Sequence, residues 1–342
     1  MERNFLIKLA YDGAAYHGWQ IQENALTVQQ VFQEALGKIT GLSEDIKACS
    51  RTDTGVHARQ FCVSLKTESP IAPERLLAAL NHYLPQDVAV RSVEQVPLDF
   101  HARYSCKGKE YVYQIWNHPV RDPFLKDRAL HYWYPIDEAL LDRAAGHYVG
   151  RHDFSSFCTL DKREKGDLTR TVTHARVQRQ GDLVTFTVAA DGFLYNMVRI
   201  MVGTLLRVQQ GKFTPQDIPG ILRARDRKAA GPTAPACGLY RDRGVFGLWE
   251  RRGQGGQGRG KTRRARPGPE GHPAEGLPGG PAHRPGAGGG RGPGGSPGGG
   301  PPGRAEKGAQ GGVPGGSDPA GAGGGPGLVA EPGQPEPRAH LE

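Results

Sequence analysis

Residues 251 to 342 contain no Phe, Tyr, Trp, Ile or Cys, yet hold 32 of the chain's 50 glycines and 16 of its 27 prolines. With too few apolar side chains to form a core, nothing there offsets the entropy of ordering the backbone, so a disordered Gly/Pro-rich tail is expected. That tail carries +5 of the formal +9 net charge, leaving +4 for residues 1 to 250, a body with local basic patches rather than a uniformly cationic surface. Cysteine is scarce: Cys49, Cys62, Cys106, Cys158 and Cys237 are odd in number, widely spaced and free of any CxxC pair, which argues against a disulfide framework or a zinc site. No HExxH and no paired-carboxylate spacing accompanies the 12 histidines, so no metal and no cofactor is expected. No run approaches the roughly 18 apolar residues of a membrane span. Met1-Glu2-Arg3-Asn4 leads into only a short apolar run, which does not read as a signal peptide. A cytoplasmic, reduced protein without a membrane partner is the expectation.

What is present alternates between strand and helix periodicity. Residues 5 to 10 read as a strand. Val28, Val31, Phe32, Ala35, Leu36 and Ile39 then recur at helical spacing, behind a Thr27 cap with Gln30 three positions on. Pro73 opens a second helix through Ala79 and Leu80. Strands follow at 88 to 93 and 111 to 116. Asp137 caps a helix with Ala139, Leu140, Ala144, Ala145 and Tyr148 inward, strands run at 170 to 178 and 183 to 190, and a helix spans 194 to 209. The pattern predicts an α+β protein of two halves packed through their sheets.

Between two further β-like runs, 45 to 50 and 60 to 66, stands Arg51-Thr52-Asp53-Thr54-Gly55-Val56-His57-Ala58. Asp53 thus falls on a connecting loop, where chemistry concentrates. Three readings compete. A structural turn with a surface Arg–Asp pair is the plainest. An aspartic protease would use the Asp-Thr-Gly triplet, but needs a second carboxylate sharing the proton, and the chain has no second such triplet. The third makes Asp53 a lone nucleophile acting on a nucleotide. His57 either assists it or, the reading preferred here, packs beneath the loop.

Tyr11-Asp12-Gly13 with Tyr16, Gly18-Trp19-Gln20 and Gln22, followed by the octapeptide, resemble the TruA-type tRNA pseudouridine synthases. Leu80-Asn81, Leu84-Pro85, Phe100-His101-Ala102-Arg103, Lys109, Tyr111-Val112-Tyr113, Asp153-Phe154, Asp191-Gly192-Phe193-Leu194, Met197-Val198-Arg199, Ala230-Gly231, Ala234-Pro235 and Gly238-Leu239 continue the resemblance in order, to about residue 250. Two departures stand out. Cys49-Ser50 replace a small residue followed by glycine, and Thr54 stands where alanine is usual.

The resemblance implies two ferredoxin-like halves, 1 to 108 and 109 to 250, with merged antiparallel sheets and a catalytic cleft between them, then the tail 251 to 342. It implies a homodimer isomerising uridine to pseudouridine at positions 38, 39 and 40 of the tRNA anticodon arm, a reaction that consumes no cofactor. Asp53 would be the nucleophile or base and Arg199 its cationic partner. Arg51 would replace the flipped nucleotide, Tyr111 would stack on the extracted uracil, and Leu239 would close the pocket. The segment Phe100, His101, Ala102, Arg103 and Tyr104 would meet the RNA backbone, and Arg163, Lys165 and Arg170 would grip the anticodon stem. The run Arg263-Arg264-Ala265-Arg266 either adds nonspecific RNA affinity or, as preferred here, belongs to an extension without function. A different class of answer is a noncatalytic RNA-binding protein or tRNA-folding chaperone on the same scaffold. The presence together of Asp53, Arg51, Tyr111 and Arg199 favours the enzyme.

Overall fold

A computed structural model of the chain describes residues 1 to 41, 46 to 159 and 166 to 246. The expectations for the tail, for its basic run and for Arg163 and Lys165 lie outside the described residues. Strand β1 (Arg3–Tyr11), helix α1 (Val28–Thr40), β2 (Ile46–Ala48), β3 (His57–Thr67), α2 (Pro73–Tyr83) and β4 (Val88–Val96) come first. Then follow β5 (Cys106–Trp116), β6 (Leu130–His131), α3 (Glu138–Gly146), β7 (Gly150–Asp153), β8 (Thr169–Gln180), β9 (Leu183–Ala190), α4 (Met197–Gln209), α5 (Ile218–Ala224) and β10 (Leu239–Phe246).

All ten strands belong to one sheet, ordered β4-β1-β3-β10-β5-β9-β8-β7, with β2 beside β3 and β6 beside β5. Within it the same arrangement occurs twice. The first half places its strands β4-β1-β3-β2 and the second β10-β5-β9-β8, each strand order 4-1-3-2 with a helical crossover after its first and third strands, the ferredoxin-like pattern; α5 is an added helix in the second half. The halves meet edge to edge, not sheet on sheet. The four strands of each ferredoxin-like set pair antiparallel, β6 runs parallel to β5, and the seam is parallel, through Tyr240 opposite His57 and Arg241 opposite Ala58.

That seam depends on how short β2 is. It pairs only with Val63, Ser64 and Leu65 of β3, whereas β10 takes the same edge of β3 at its other end. The edge of β3 therefore changes partner part-way along, and residues 49 to 56 fill the change-over.

Local chemistry explains most element boundaries. Thr27 Oγ1 accepts from Gln30 N–H at 3.3 Å, the expected cap, and Gly41 closes α1 in the left-handed conformation. Pro73 starts α2 as expected. Helix α3 carries the expected Asp137 cap, onto Leu140 N–H, and buries Ala144 and Ala145 with Tyr148 just beyond, as expected; in its first turn Leu141 is the buried residue, with Ala139 exposed and Leu140 half-buried. Helix α4 begins at Met197 rather than at 194, since Asn196 sits at φ 62°, outside helical space. Two apolar cores follow the halves, one around Phe5, Ile7, Phe32, Phe61 and Leu80, the other around Tyr113, Tyr148, Phe157, Phe186 and Met201. No helix of the described residues is long and apolar enough to cross a membrane.

Candidate active site

The loop carrying Asp53 is held chiefly by backbone. Trp19 N–H donates to Thr52 O at 3.2 Å, Gly55 N–H to Tyr16 O at 3.2 Å, and Val56 N–H to Asp53 O at 3.1 Å, closing a turn with Gly55 at φ 74°. The segment after β1 can come this close only because it lacks side chains at two points. A Cβ on Gly13 would lie 2.1 Å from Val56 O, and one on Gly18, itself at φ 81°, would lie 2.3 Å from Thr52 O. Beneath the loop, Thr52 Oγ1 and Tyr11 Oη are 2.8 Å apart and buried, and Trp19 stacks on Phe61 at 4.2 Å. Such aromatic contacts are worth about 1 kcal/mol beyond their burial.

His57 lies under this loop, 1% exposed and stacked on Tyr240 at 4.6 Å. Its Nε2 lies 2.9 and 3.1 Å from the carbonyl oxygens of Asp127 and Cys237, and its Nδ1 lies 3.0 Å from Gly13 N. Asp12 Oδ1 is also 3.0 Å from Nδ1. Every ring nitrogen is occupied by structural partners, which is the packing reading of His57.

Asp53 is half-buried, its side chain 36% exposed, and its Oδ2 lies 4.0 Å from Arg199 Nη1 on α4. Arg199 is itself clamped: Nε donates to Ala234 O at 2.7 Å and Nη1 to Asn196 Oδ1 at 2.8 Å. The left-handed Asn196 that ends the loop before α4 thus also aims the guanidinium. Tyr111 on β5 is buried, set edge-on to Phe193 at 5.0 Å. Burial, the largest influence, pushes its phenol up to about 12, so it is neutral at physiological pH. Leu239, the first residue of β10, pairs with Tyr113, and Arg241 pairs with Tyr111 across the same two strands. The first half therefore supplies Asp53, and the second supplies Arg199, Tyr111 and Leu239.

Arg51 precedes this cluster on the loop, with its side chain exposed. In the segment before β5, Arg103 and Tyr104 are exposed, whereas Ala102 is fully buried and donates its N–H to Ser64 Oγ. Phe100 is half-buried, 5.7 Å from Phe246, and His101 Nδ1 accepts from Arg103 N–H. Ala102 and Phe100 thus anchor the segment, and only its far end projects. Arg170, on β8, donates to the carbonyls of Asp167 and Thr169 and lies against Gly192. An open groove of about 530 Å³ lined by Asp12, Arg59, Arg91, Arg128 and Tyr240 lies past His57, and neither Asp53, Arg199, Tyr111 nor Leu239 lines it. Among the described residues, no group of three or more His, Cys, Asp or Glu side chains is arranged to hold a metal ion.

Sequence reasoning did not find Thr52, Ser50, Arg241, Asn196 or Phe193 as parts of this site. Phe193 and Thr52 stood inside quoted motifs and Ser50 in a noted departure from the pattern; nothing marked Arg241 or Asn196.

The family model described as tRNA pseudouridine synthase matches residues 8–105 and 144–245, the stretches that hold Asp53 and Arg199. The chain belongs to the tRNA pseudouridine synthase family. It is 44% identical over 238 residues to tRNA pseudouridine synthase A of Acetivibrio thermocellus, covering 70% of this chain and 97% of that one. It is 45% identical to the protein of the same name from Halalkalibacterium halodurans, over 69% of this chain and 90% of that one. Among solved structures, a Cbf5-Nop10-Gar1 complex aligns over 69% of this chain and 57% of that chain at 12% identity with a TM-score of 0.28, too slight a likeness to weigh on fold or function. The enzyme is thus an isomerase of the pseudouridine synthase class, with tRNA as its substrate.

Proposed function

We propose that the enzyme converts uridine to pseudouridine at positions 38, 39 and 40 of the tRNA anticodon arm, with Asp53 as the catalytic nucleophile or base. The observation that carries this reading is the placement of Asp53: a partly exposed carboxylate on a rigidly held loop, 4.0 Å from a clamped guanidinium. An unperturbed aspartate is ionised at neutral pH, and a nearby cation favours that form when RNA covers the site. The reaction breaks the bond between C1′ and N1 of uracil, turns the base and rejoins it through C5, whose proton is released to solvent. No electrons enter or leave, so one carboxylate and a pocket suffice. Attack at C1′, addition at C6 and a glycal route are all open to a carboxylate in this position.

Arg51, exposed beside Asp53, is placed to fill the gap left by a flipped nucleotide, at the few kcal/mol that unstacking a base costs. Tyr111 and Leu239 form the walls that meet the uracil. Of the segment before β5, Arg103 and Tyr104 are the side chains that reach RNA, and Arg170 adds a contact from β8. The enzyme works as a cytoplasmic homodimer on this reading, selecting the arm by shape. The test is to map pseudouridines on the anticodon arm of unmodified tRNA after incubation with the intact chain and with Asp53→Ala. Product at 38, 39 or 40 with the intact chain alone supports the reading; product elsewhere, or with both proteins, overturns it.

A further inference from the structure

Arg241 is the largest fully buried side chain among the described residues, at 0% exposure, in the middle of β10. A guanidinium out of water needs an opposite charge, and leaving it unpaired costs several kcal/mol. Among the described residues Arg241 makes no ion pair with a carboxylate. Nε donates to Ser50 Oγ at 3.0 Å, Nη1 donates to Gln60 O at 3.3 Å, and Nη2 has no hydrogen-bond partner.

The ionisable groups around it come from three strands and the loop: Cys49 after β2, Cys62 on β3, Cys106, Lys109 and Tyr111 on β5, and Tyr11 on β1. Lys109 repeats the problem, being a cation. The acids are three thiols and two phenols. The phenols of Tyr11 and Tyr111 are held neutral by burial. The Cys106 thiol donates to Gly108 O at 3.2 Å and so keeps its hydrogen. Cys49 differs. Its Sγ accepts from Cys62 N–H at 3.4 Å and lies 3.7 Å from Ser50 Oγ. Because Ser50 Oγ already accepts from Arg241, its own hydrogen is free to point at Cys49, giving a relay from guanidinium through hydroxyl to sulfur.

We propose that Cys49 is a buried thiolate, the counter-ion of Arg241, and that this pair is a positioning device fixing Ser50 beneath the catalytic loop. The thiol proton passes to solvent as Arg241 is enclosed on folding, and nothing is oxidised. Burial alone would hold Cys49 protonated; the Cys62 thiol and the Arg241 guanidinium outweigh it and hold its pKa well below the ordinary thiol value. Ser50 is joined to Arg51, and its side chain also hydrogen-bonds Tyr111. One buried charge pair therefore ties the loop of the first half to the seam strand and to the base-facing tyrosine of the second. Its part in catalysis rests on the Asp53 reading above; the charge state does not.

The test is the ultraviolet thiolate absorbance of the full chain at neutral pH, read folded and in urea, beside Cys49→Ser, Arg241→Met and Arg241→Lys. The expected result is one thiolate in the folded chain, lost in urea, lost in Cys49→Ser and Arg241→Met, and kept in Arg241→Lys. No thiolate in the folded chain, or the same signal in Cys49→Ser, overturns the proposal. If a variant does not fold, the folded-against-urea comparison of the intact chain decides alone. In folded Cys49→Ser and Arg241→Met kcat should fall about tenfold, the loss of one positioning hydrogen bond, with KM little changed, while Arg241→Lys restores most of it. An intact chain that shows the thiolate but makes no pseudouridine would sink the Asp53 reading and leave the ion pair standing.

Discussion

The two halves share one strand order, to which the second adds β6 and β7, and they differ most in the strand that ends that order. In the second half the outermost ferredoxin-like position is filled by β8, twelve residues long and paired along most of β9. In the first half the matching position is β2, three residues long, and the rest of that edge is left for β10. The complete half closes its own edge; the truncated half leaves an opening, and the octapeptide turns inside it. A long β2 would cover the place where the loop and the seam now lie. The division of labour follows, with the loop carboxylate from the truncated half and the cation and pocket walls from the complete one.

The contrast is broken most severely where loop backbone meets loop backbone. Gly18→Val forces a Cβ into Thr52 O at a left-handed φ, and a loss of more than about 3 kcal/mol is expected in denaturant unfolding. In the second half Gly181, in the turn between β8 and β9, is also left-handed, but a Cβ there meets nothing within 4 Å. Gly181→Ala should cost only about 1 kcal/mol, leaving kcat unchanged.

The cation from the complete half comes next. Arg199→Met should lower kcat by about 10²-fold or more while tRNA affinity changes much less, because the partner of the carboxylate is lost and not a substrate contact. Single-turnover rates with saturating enzyme check this, and a loss confined to KM would place Arg199 outside the chemistry. Thr52→Val, which takes the buried partner from the Tyr11 hydroxyl, should destabilise by about 1 to 2 kcal/mol with turnover reduced only modestly.

The smallest effects are those of pH. Asp12 in the first half and Asp153 in the second both have lowered pKa values. In each case burial is the largest influence and opposes the shift. It is outweighed by Ala14 N–H, His57 and Arg128 for Asp12, and by Ser155 and Arg225 for Asp153. A lowered folded value means the stabilisation is complete above the unfolded pKa of about 3.9 and is lost as pH falls through the folded value. Asp12→Asn and Asp153→Asn should each flatten the acid limb of a thermal stability curve slightly, and neither should alter it at neutral pH by more than the lost ion pair.

How much of this was legible in the sequence follows the same division. The octapeptide was placed on its loop and the Thr27 cap on α1, because both are local: a turn glycine, a hydroxyl three residues from its N–H. Helix α3 was read with its Asp137 cap and with Ala144, Ala145 and Tyr148 inward, as found; only its first turn differs, because Ala139, Leu140 and Leu141 are equally apolar on paper. Strand β10, which makes the seam, was not read as a strand at all. Its alternation places a charged residue, Arg241, at a buried position, and its pairing with β5 is interrupted by register shifts after Arg241 and before Phe246. A buried arginine is intelligible only once Cys49, Ser50 and Tyr111 are brought to it from other strands, and no spacing along the chain encodes that meeting.

The central claim is that Asp53 performs the isomerisation. The measurement that tests it most directly is tritium release from tRNA labelled at C5 of uridine, with the intact chain and with Asp53→Asn, tRNA binding being measured on both. Release by the intact chain and none by Asp53→Asn, at equal binding, is the predicted result. Release by Asp53→Asn at a rate near that of the intact chain would contradict the account.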